Sequence, residues 1–320
     1  MRVSDPTHAL SDALPAGYTA RPLGLADLDA AYAVYAAAQV ADSGMVALER
    51  ADIEADWSRP SMDLAHDTVG VLDAAGVLVG AVEVARRGTR AEAAVTRAAR
   101  GLGVGTWLAG WAERRSAAVG AASVGQTVPR GSAGQRLLEG RGYRPGWTSW
   151  VLELPEGAEI TDRALPVGYS VRMAETSRDL EGAYEVIQTA FAEWSDRTGE
   201  TFDEWAAGTV RRPGFEPWNL RVVVVQDAVV GACFTVVDER GCGFIGQVAV
   251  AREHRGRGLA QALLADGFRG AREHGAVRSE LSTDSRTGAL GLYQRVGMRV
   301  AATWVHLVHD HEAADGPSPA

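Results

Sequence analysis

Apolar positions in the C-terminal half of the chain switch between two periods. Leu180, Ala183, Tyr184, Ile187 and Phe191 recur at helical spacing, and Ser177 and Asp179 supply the start of that helix. Leu220–Val225 and Val229–Val237 are apolar runs around Gln226-Asp227-Ala228, which predicts a hairpin. Phe244–Val250 predicts a third strand, and Leu259, Leu263, Leu264 and Phe268 mark the inner face of a helix that begins at a glycine-rich turn. Tyr169–Met173, Ser279–Thr283 and Ala302–Val308 read as further strands, and Thr287–Arg295 as a helix. A mixed sheet flanked by helices follows, in the α/β (α+β) class.

The N-terminal half carries the same pattern. Gly17-Tyr18-Thr19-Ala20-Arg21 followed by Asp27-Leu28 corresponds to Gly168-Tyr169-Ser170-Val171-Arg172 followed by Asp179-Leu180. Arg100-Gly101-Leu102-Gly103 and Arg255-Gly256-Arg257-Gly258 lie 155 positions apart, as do Gly142-Tyr143-Arg144 and Gly297-Met298-Arg299. Two matched pairs at one offset indicate a duplication. Roughly 100–200 residues per domain also divides 320 residues into two. The expected layout is a flexible N-terminus (1–16), a first domain (17–154), a linker (155–165), a second domain (166–309) and a flexible tail (310–320).

Composition narrows the chemistry. All 32 basic residues are arginine, because the chain contains no lysine. Schiff-base lysines, Ser-Lys dyads and the phosphate-loop lysine are thereby excluded, so phosphate recognition falls to backbone amides and arginine. A net charge of −9 argues against a nucleic-acid partner. Two cysteines supply neither a disulfide framework nor a four-ligand zinc site, and no metal is expected. The hairpin register is expected to pair Val237 with Cys242 and keep the thiols of Cys233 and Cys242 apart. The N-terminal residues contain no signal-peptide core, and no run of about 18 apolar residues occurs, so a cytoplasmic protein without a membrane partner is expected.

Arg255–Ala260 sits between a strand and a helix. Consecutive amides at a helix N-terminus attract an anion, and glycines at 256 and 258 let a pyrophosphate approach the main chain. The same glycines also suit a plain strand-to-helix turn, and the pattern is not the dinucleotide fingerprint.

Gln247-Val248-Ala249-Val250, Arg255–Ala260, Ala289-Leu290-Gly291-Leu292-Tyr293 and Gly297-Met298 together resemble the signature of the GCN5-related N-acetyltransferases (GNAT). The duplicated layout is similar to the tandem, mycothiol-synthase type of that family. The resemblance implies two tandem GNAT-like domains, each with a mostly antiparallel, twisted sheet, and an acetyl-CoA-dependent N-acetyltransferase. It further implies that Arg255, Gly256, Arg257, Gly258, Leu259 and Ala260 bind the pyrophosphate, that Val248, Ala249 and Val250 line the pantetheine arm, and that Tyr293 is the general acid. Arg286 is expected to contact the cofactor, although Ser285 and Arg286 stand where the family often has asparagine.

Acyl transfer to an amine requires a polarised carbonyl, a neutral amine and a stabilised leaving thiolate. A backbone N–H at the end of the Phe244–Val250 strand suits the first need. The base is left open among Glu280, Asp284, Glu193 and a water relay. Leu138 occupies the first copy's equivalent of Tyr293, with Ala93 and Val95 in the places of Val248 and Val250. The first copy is therefore expected to be degenerate and the second catalytic. Glu193, Trp194, Asp196 and Trp218 are candidate acceptor contacts, since acidic and aromatic groups suit a cationic amine. They also fit a solvated helix face with core tryptophans. The expected acceptor is a small-molecule amine such as a thiol-biosynthesis intermediate, an antibiotic or a polyamine-like metabolite. Acetylation of a protein, or a non-catalytic acyl-CoA-binding role, are the alternatives, in a monomer or homodimer.

Overall fold

The computed structural model describes residues 13–194 and 199–311. The first copy runs β1 (Thr19–Arg21), α1 (Leu28–Ser43), α2 (Arg50–Trp57), α3 (Leu64–Asp67), β2 (Thr68–Leu72), β3 (Leu78–Ala85), β4 (Arg90–Val95), α4 (Val104–Ala118), β5 (Ser123–Pro129), α5 (Ala133–Gly140) and β6 (Arg144–Glu153). The second runs β7 (Tyr169–Met173), α6 (Ser177–Ala192), α7 (Phe202–Ala207), β8 (Leu220–Val225), β9 (Ala228–Val237), β10 (Cys242–Val250), α8 (Leu259–Glu273), β11 (Arg278–Asp284), α9 (Leu290–Arg295) and β12 (Arg299–Asp310). Apart from α3, the two orders are the same. Among the described residues no helix is long and apolar enough to cross a membrane.

The same local devices start each copy. Arg21 at the end of β1 grips Asp27 through both carboxylate oxygens, at 2.8 and 2.6 Å. Arg172 in β7 grips Asp179 likewise, at 2.8 and 2.6 Å. Asp179 also accepts from the Thr176 amide while the Thr176 hydroxyl accepts from the Asp179 amide, a capping box that fixes the start of α6. Between β8 and β9, Gln226 and Asp227 both take positive φ, as a two-residue hairpin turn demands.

The chain forms two compact units, and their limits correct the expected domains 17–154 and 166–309. Among the described residues, the first unit holds those up to Ile53, Ser61–Gly146 and those from Val305 to His311; the second holds Glu54–Pro60 and those between Trp147 and Trp304. The first unit's sheet therefore has the order β1-β2-β3-β4-β5 and then the end of β12. In the second the order is β6, from Trp147, then β11-β10-β9-β8-β7. Each copy's last strand completes the sheet of the other, because a strand belongs where its hydrogen bonds and side chains are satisfied. Leu152 of β6 and Leu154, just past its end, are buried in the second unit's core beside Leu281. Val305 and Leu307 of β12 are buried in the first unit's core beside Val124. β12 also continues to Asp310, which pairs with Arg144.

The expected linker 155–165 is likewise part of the second unit. Ile160 is buried in its core, and Glu159 and Asp162 pair with Arg272 and Arg269 of α8. One core of that unit packs α8 and α9 on the sheet, and the opposite face packs α6 and α7. Gly267 brings α8 close: a Cβ there would lie 2.8 Å from the Thr235 hydroxyl oxygen.

The cysteine register is corrected by one residue. Val237 pairs with Gly243, and Cys242 stands opposite Asp238, whose amide donates to its carbonyl. The turn between them is closed by Asp238 accepting from the Arg240 and Cys242 amides, with Gly241 at φ +72°. Both thiols are free and buried, and burial pushes each up to about 12, leaving them protonated.

The grip on Asp179 generates a stability prediction. The Arg172 hydrogen bonds, with help from the Thr176 and Glu175 amides, hold its carboxyl well below the usual carboxylate range. A depressed folded-state pKa contributes stability above the ordinary value of about 3.9, and that contribution is lost as pH falls toward the folded value. Asp179→Ala should cost about 2 kcal/mol in chemical denaturation at pH 7. The gap from the wild type should narrow below about pH 4; a gap of equal size at low pH would contradict this account.

Candidate active site

The site starts from a break in pairing. β10 runs parallel to β11 only over Cys242–Ile245 against Arg278–Leu281. At Gly246 a register shift interrupts its antiparallel pairing with β9. Past that bulge β10 stays with β9 and leaves β11, and Trp205 anchors the displaced strand by donating from Nε1 to the Gln247 side chain at 2.9 Å. The Ala251 amide donates to the Val230 carbonyl, so by antiparallel alternation Gln247 and Ala249 face β9. Val248 and Val250 consequently turn their backbone groups toward the gap. The Val250 carbonyl is already used, accepting from Arg255 Nε at 2.9 Å.

At the end of β10 the chain makes a short 3-10 turn over Arg252–His254 and enters α8 through the glycine loop. Gly256 and Gly258 hold φ of +75° and +84°, a region that disfavours side chains. Gly258 caps α8 without a side-chain partner for the first amides, which leaves a positive helix end facing the gap. The first copy repeats this with Gly101 and Gly103 at +74° and +90°.

The gap is a cavity of about 1200 Å³. Val248, Ala249, Val250, Arg255, Gly256, Gly258, Leu259 and Ala260 line it, so most of the expected cofactor-side residues come together. Arg257 is not among the lining residues. Tyr293 lines the opposite wall from α9 and is 7% exposed. Burial pushes its phenol up to about 12, so it carries its proton at neutral pH. Among the described residues the hydroxyl has no hydrogen-bond partner.

Several expected assignments fall elsewhere. Glu280 is not on the cavity wall: it is buried at the parallel-paired part of β11, 3.5 Å from the Arg278 guanidinium. Asp284 lines the cavity, but Arg286 holds both its oxygens, at 3.1 and 2.6 Å. Arg286 is thereby committed away from a cofactor. Its guanidinium also lies 3.4 Å from the Trp147 ring centre and 5.0 Å from that of Trp194. Glu193 lines the cavity with both oxygens occupied by Arg255, at 2.7 and 2.9 Å, and that guanidinium holds its carboxyl below the usual range. Trp194 lines the cavity, whereas Trp218 does not. Trp218 stacks on His274 at 4.2 Å and donates to Glu216. Asp196 lies outside the described residues. No candidate base therefore offers an unencumbered carboxylate to the cavity.

Sequence patterning missed part of the wall. Thr161 and Arg163, from the segment read as a linker, line it. So does His254, whose Nδ1 lies 2.8 Å from the Tyr169 hydroxyl. Thr283 and Thr287 bring two more hydroxyls, 2.8 Å apart. The only sequence signal for the linker's involvement is the spacing of Ile160 and Leu165, both of which pack on the core. In the first copy Leu138 is packed at 3% exposure, with an apolar side chain where the second copy has a phenol.

Residues 180–298 match the Acetyltransferase (GNAT) family. A mycothiol acetyltransferase of Saccharopolyspora erythraea is 26% identical over 163 residues, 50% of this chain and 54% of that protein, so the match spans about half the length of the relative. Among solved structures, a tandem GNAT protein from the clavulanic acid biosynthesis pathway shares the fold, with a TM-score of 0.70 and 16% identity over 93% of this chain and 100% of that one. A GCN5-related N-acetyltransferase from Sphaerobacter thermophilus has a TM-score of 0.72 and 30% identity, covering 93% of this chain and 97% of that chain. With the glycine loop, the parted strands and the buried tyrosine in one cavity, and a relative this similar over nearly its whole length, the chain belongs to the GCN5-related N-acetyltransferase family.

Proposed function

We propose that the second unit is an acetyl-CoA-dependent N-acetyltransferase that acylates a small-molecule amine, with Tyr293 as general acid. The observation that carries this reading is the junction of an uncapped helix start, a free strand edge and a protonated tyrosine on one cavity. The glycine loop fits the donor, since a side chain at 256 or 258 would strain a left-handed backbone and fill the approach to the amides. Acetyl-CoA supplies an activated acyl group as its thioester.

The chain's own residues do the rest. Loop amides from Gly256 to Ala260 bind the pyrophosphate, with the start of the α8 dipole behind them. The Val248 backbone offers strand-like pairing to the pantetheine amides, and an N–H on this edge polarises the acyl carbonyl. Tyr293 donates its phenolic proton to the departing sulfur. The incoming ammonium loses its proton to water in the cavity, because Arg255 and Arg286 occupy the oxygens of Glu193 and Asp284. Trp194 provides an aromatic wall for the acceptor. Mycothiol acetyltransferase relatives support a small polar amine as the acceptor class.

Two outcomes test this reading. Release of free thiol from acetyl-CoA across a panel of small amines should fall about 10²–10⁴-fold in kcat for Tyr293→Phe, with donor affinity unchanged. Leu138→Met, in the first copy, should leave turnover per folded molecule unaltered. Full activity in Tyr293→Phe would remove the tyrosine from the mechanism. The second outcome concerns pH. A phenol raised to about 12 stays protonated below that value, so kcat should show no falling basic limb between pH 7 and about 10. A limb in that window that Tyr293→Phe abolishes would contradict the assignment.

A further inference from the structure

The segment between the two copies ends over the glycine loop. If Gly258 carried a Cβ, it would lie 2.7 Å from Arg163 Cδ and 2.9 Å from Arg163 Nε. Arg163 lines the same cavity as Gly256, Gly258 and Tyr293. Its backbone is fixed there by contacts along α8: Ile160 is buried in the core, and Gln261 donates from its side chain to the Thr161 carbonyl at 2.9 Å.

Of the three acids on this segment, Glu159 and Asp162 pair with Arg272 and Arg269 on α8, and Glu156 is not on the cavity wall. Arg163 has no acidic partner among the described residues and is exposed toward the cavity. Its situation contrasts with Arg255, whose charge Glu193 balances through both carboxylate oxygens and whose Nε donates to the Val250 carbonyl. An uncompensated guanidinium beside Gly258, at a helix start whose first amides have no side-chain cap, is half of a charge-assisted, bidentate anion contact.

We propose that Arg163, from the segment joining the copies, binds the donor's pyrophosphate from the side opposite the loop amides. The inference rests on the reading of this cavity as an acyl-CoA site. It makes the segment part of the active site of the second unit, with an arginine that has no acidic partner placed beside Gly258.

Calorimetric titration with CoA and with 3′-dephospho-CoA tests it on the full chain. Arg163→Ala should weaken both ligands by about tenfold, the loss of roughly one charge-assisted hydrogen bond. Arg163→Lys should recover part of that loss. Arg178→Ala, which removes the same charge from an exposed position on α6, should bind like the wild type. Thermal denaturation should be unchanged in all three variants. Wild-type affinity in Arg163→Ala would overturn the proposal while leaving the site reading intact. A loss seen with CoA but absent with 3′-dephospho-CoA would move the contact to the 3′-phosphate and overturn the pyrophosphate assignment. Equal losses in Arg163→Ala and Arg178→Ala would reduce the effect to net charge and overturn it too. Failure of the wild type to bind either ligand would instead remove the acyl-CoA reading, and this inference with it.

Discussion

Everything at the site depends on two parallel strands that stop pairing. β10 and β11 share a short ladder, and the Gly246 bulge then commits β10 to β9 alone. Backbone polar groups on the free edge are costly to bury without a partner, so they must meet water or a ligand. The Trp205–Gln247 hydrogen bond and the Arg255–Val250 contact hold the strand in that state from both ends. Since the edge cannot close on β11, the space between stays open to Tyr293 on one wall and the glycine loop on the other.

The duplication preserves the scaffold and changes the chemistry. Arg100 donates from Nε to the Val95 carbonyl and grips Asp42 through both oxygens, the same tether that Arg255 makes with Val250 and Glu193. Both tethers fasten the first long helix of a copy to its glycine loop. Such a tether fixes the loop's backbone in either copy, and selection for the fold accounts for it without any ligand. The phenol is different: a leucine at the equivalent place packs well in the first unit's core, so nothing structural demands a tyrosine in the second. That asymmetry is why the catalytic reading rests on the second unit.

An all-arginine cation set has a further consequence. Arginine's planar fork pairs with carboxylates through two bonds and stays charged at every relevant pH. Asp179, Glu193 and Asp284 are each held in this way, and the guanidinium hydrogen bonds keep the carboxyls of Asp179 and Glu193 below the usual carboxylate range. In the proposed reaction, proton transfer is left to the Tyr293 phenol, to hydroxyls such as Thr283 and Thr287, and to water.

Local patterning made the strands, the hairpin and the glycine loop legible, since each depends on a short period or a turn that only certain residues adopt, whereas Tyr293 was legible only through the resemblance to the family's signature. The duplication was legible too, because two separated motifs kept one offset. Facing and partnership were not. Glu280 and Asp284 lie on one short strand, yet only Asp284 reaches the cavity, because the wall begins where β11 loses its partner. Trp218 looked like an acceptor contact by composition and is instead a stacked surface ring. Residues 155–165 read as a linker by their polarity, although two apolar side chains and two ion pairs fasten them to α8. The chain by itself determined which elements form and where a glycine-rich, uncapped helix start lies. Only the tertiary structure decided which strand completes which sheet, which carboxylates are occupied and which arginines on the cavity lack an acidic partner, because those depend on partners far apart in the sequence.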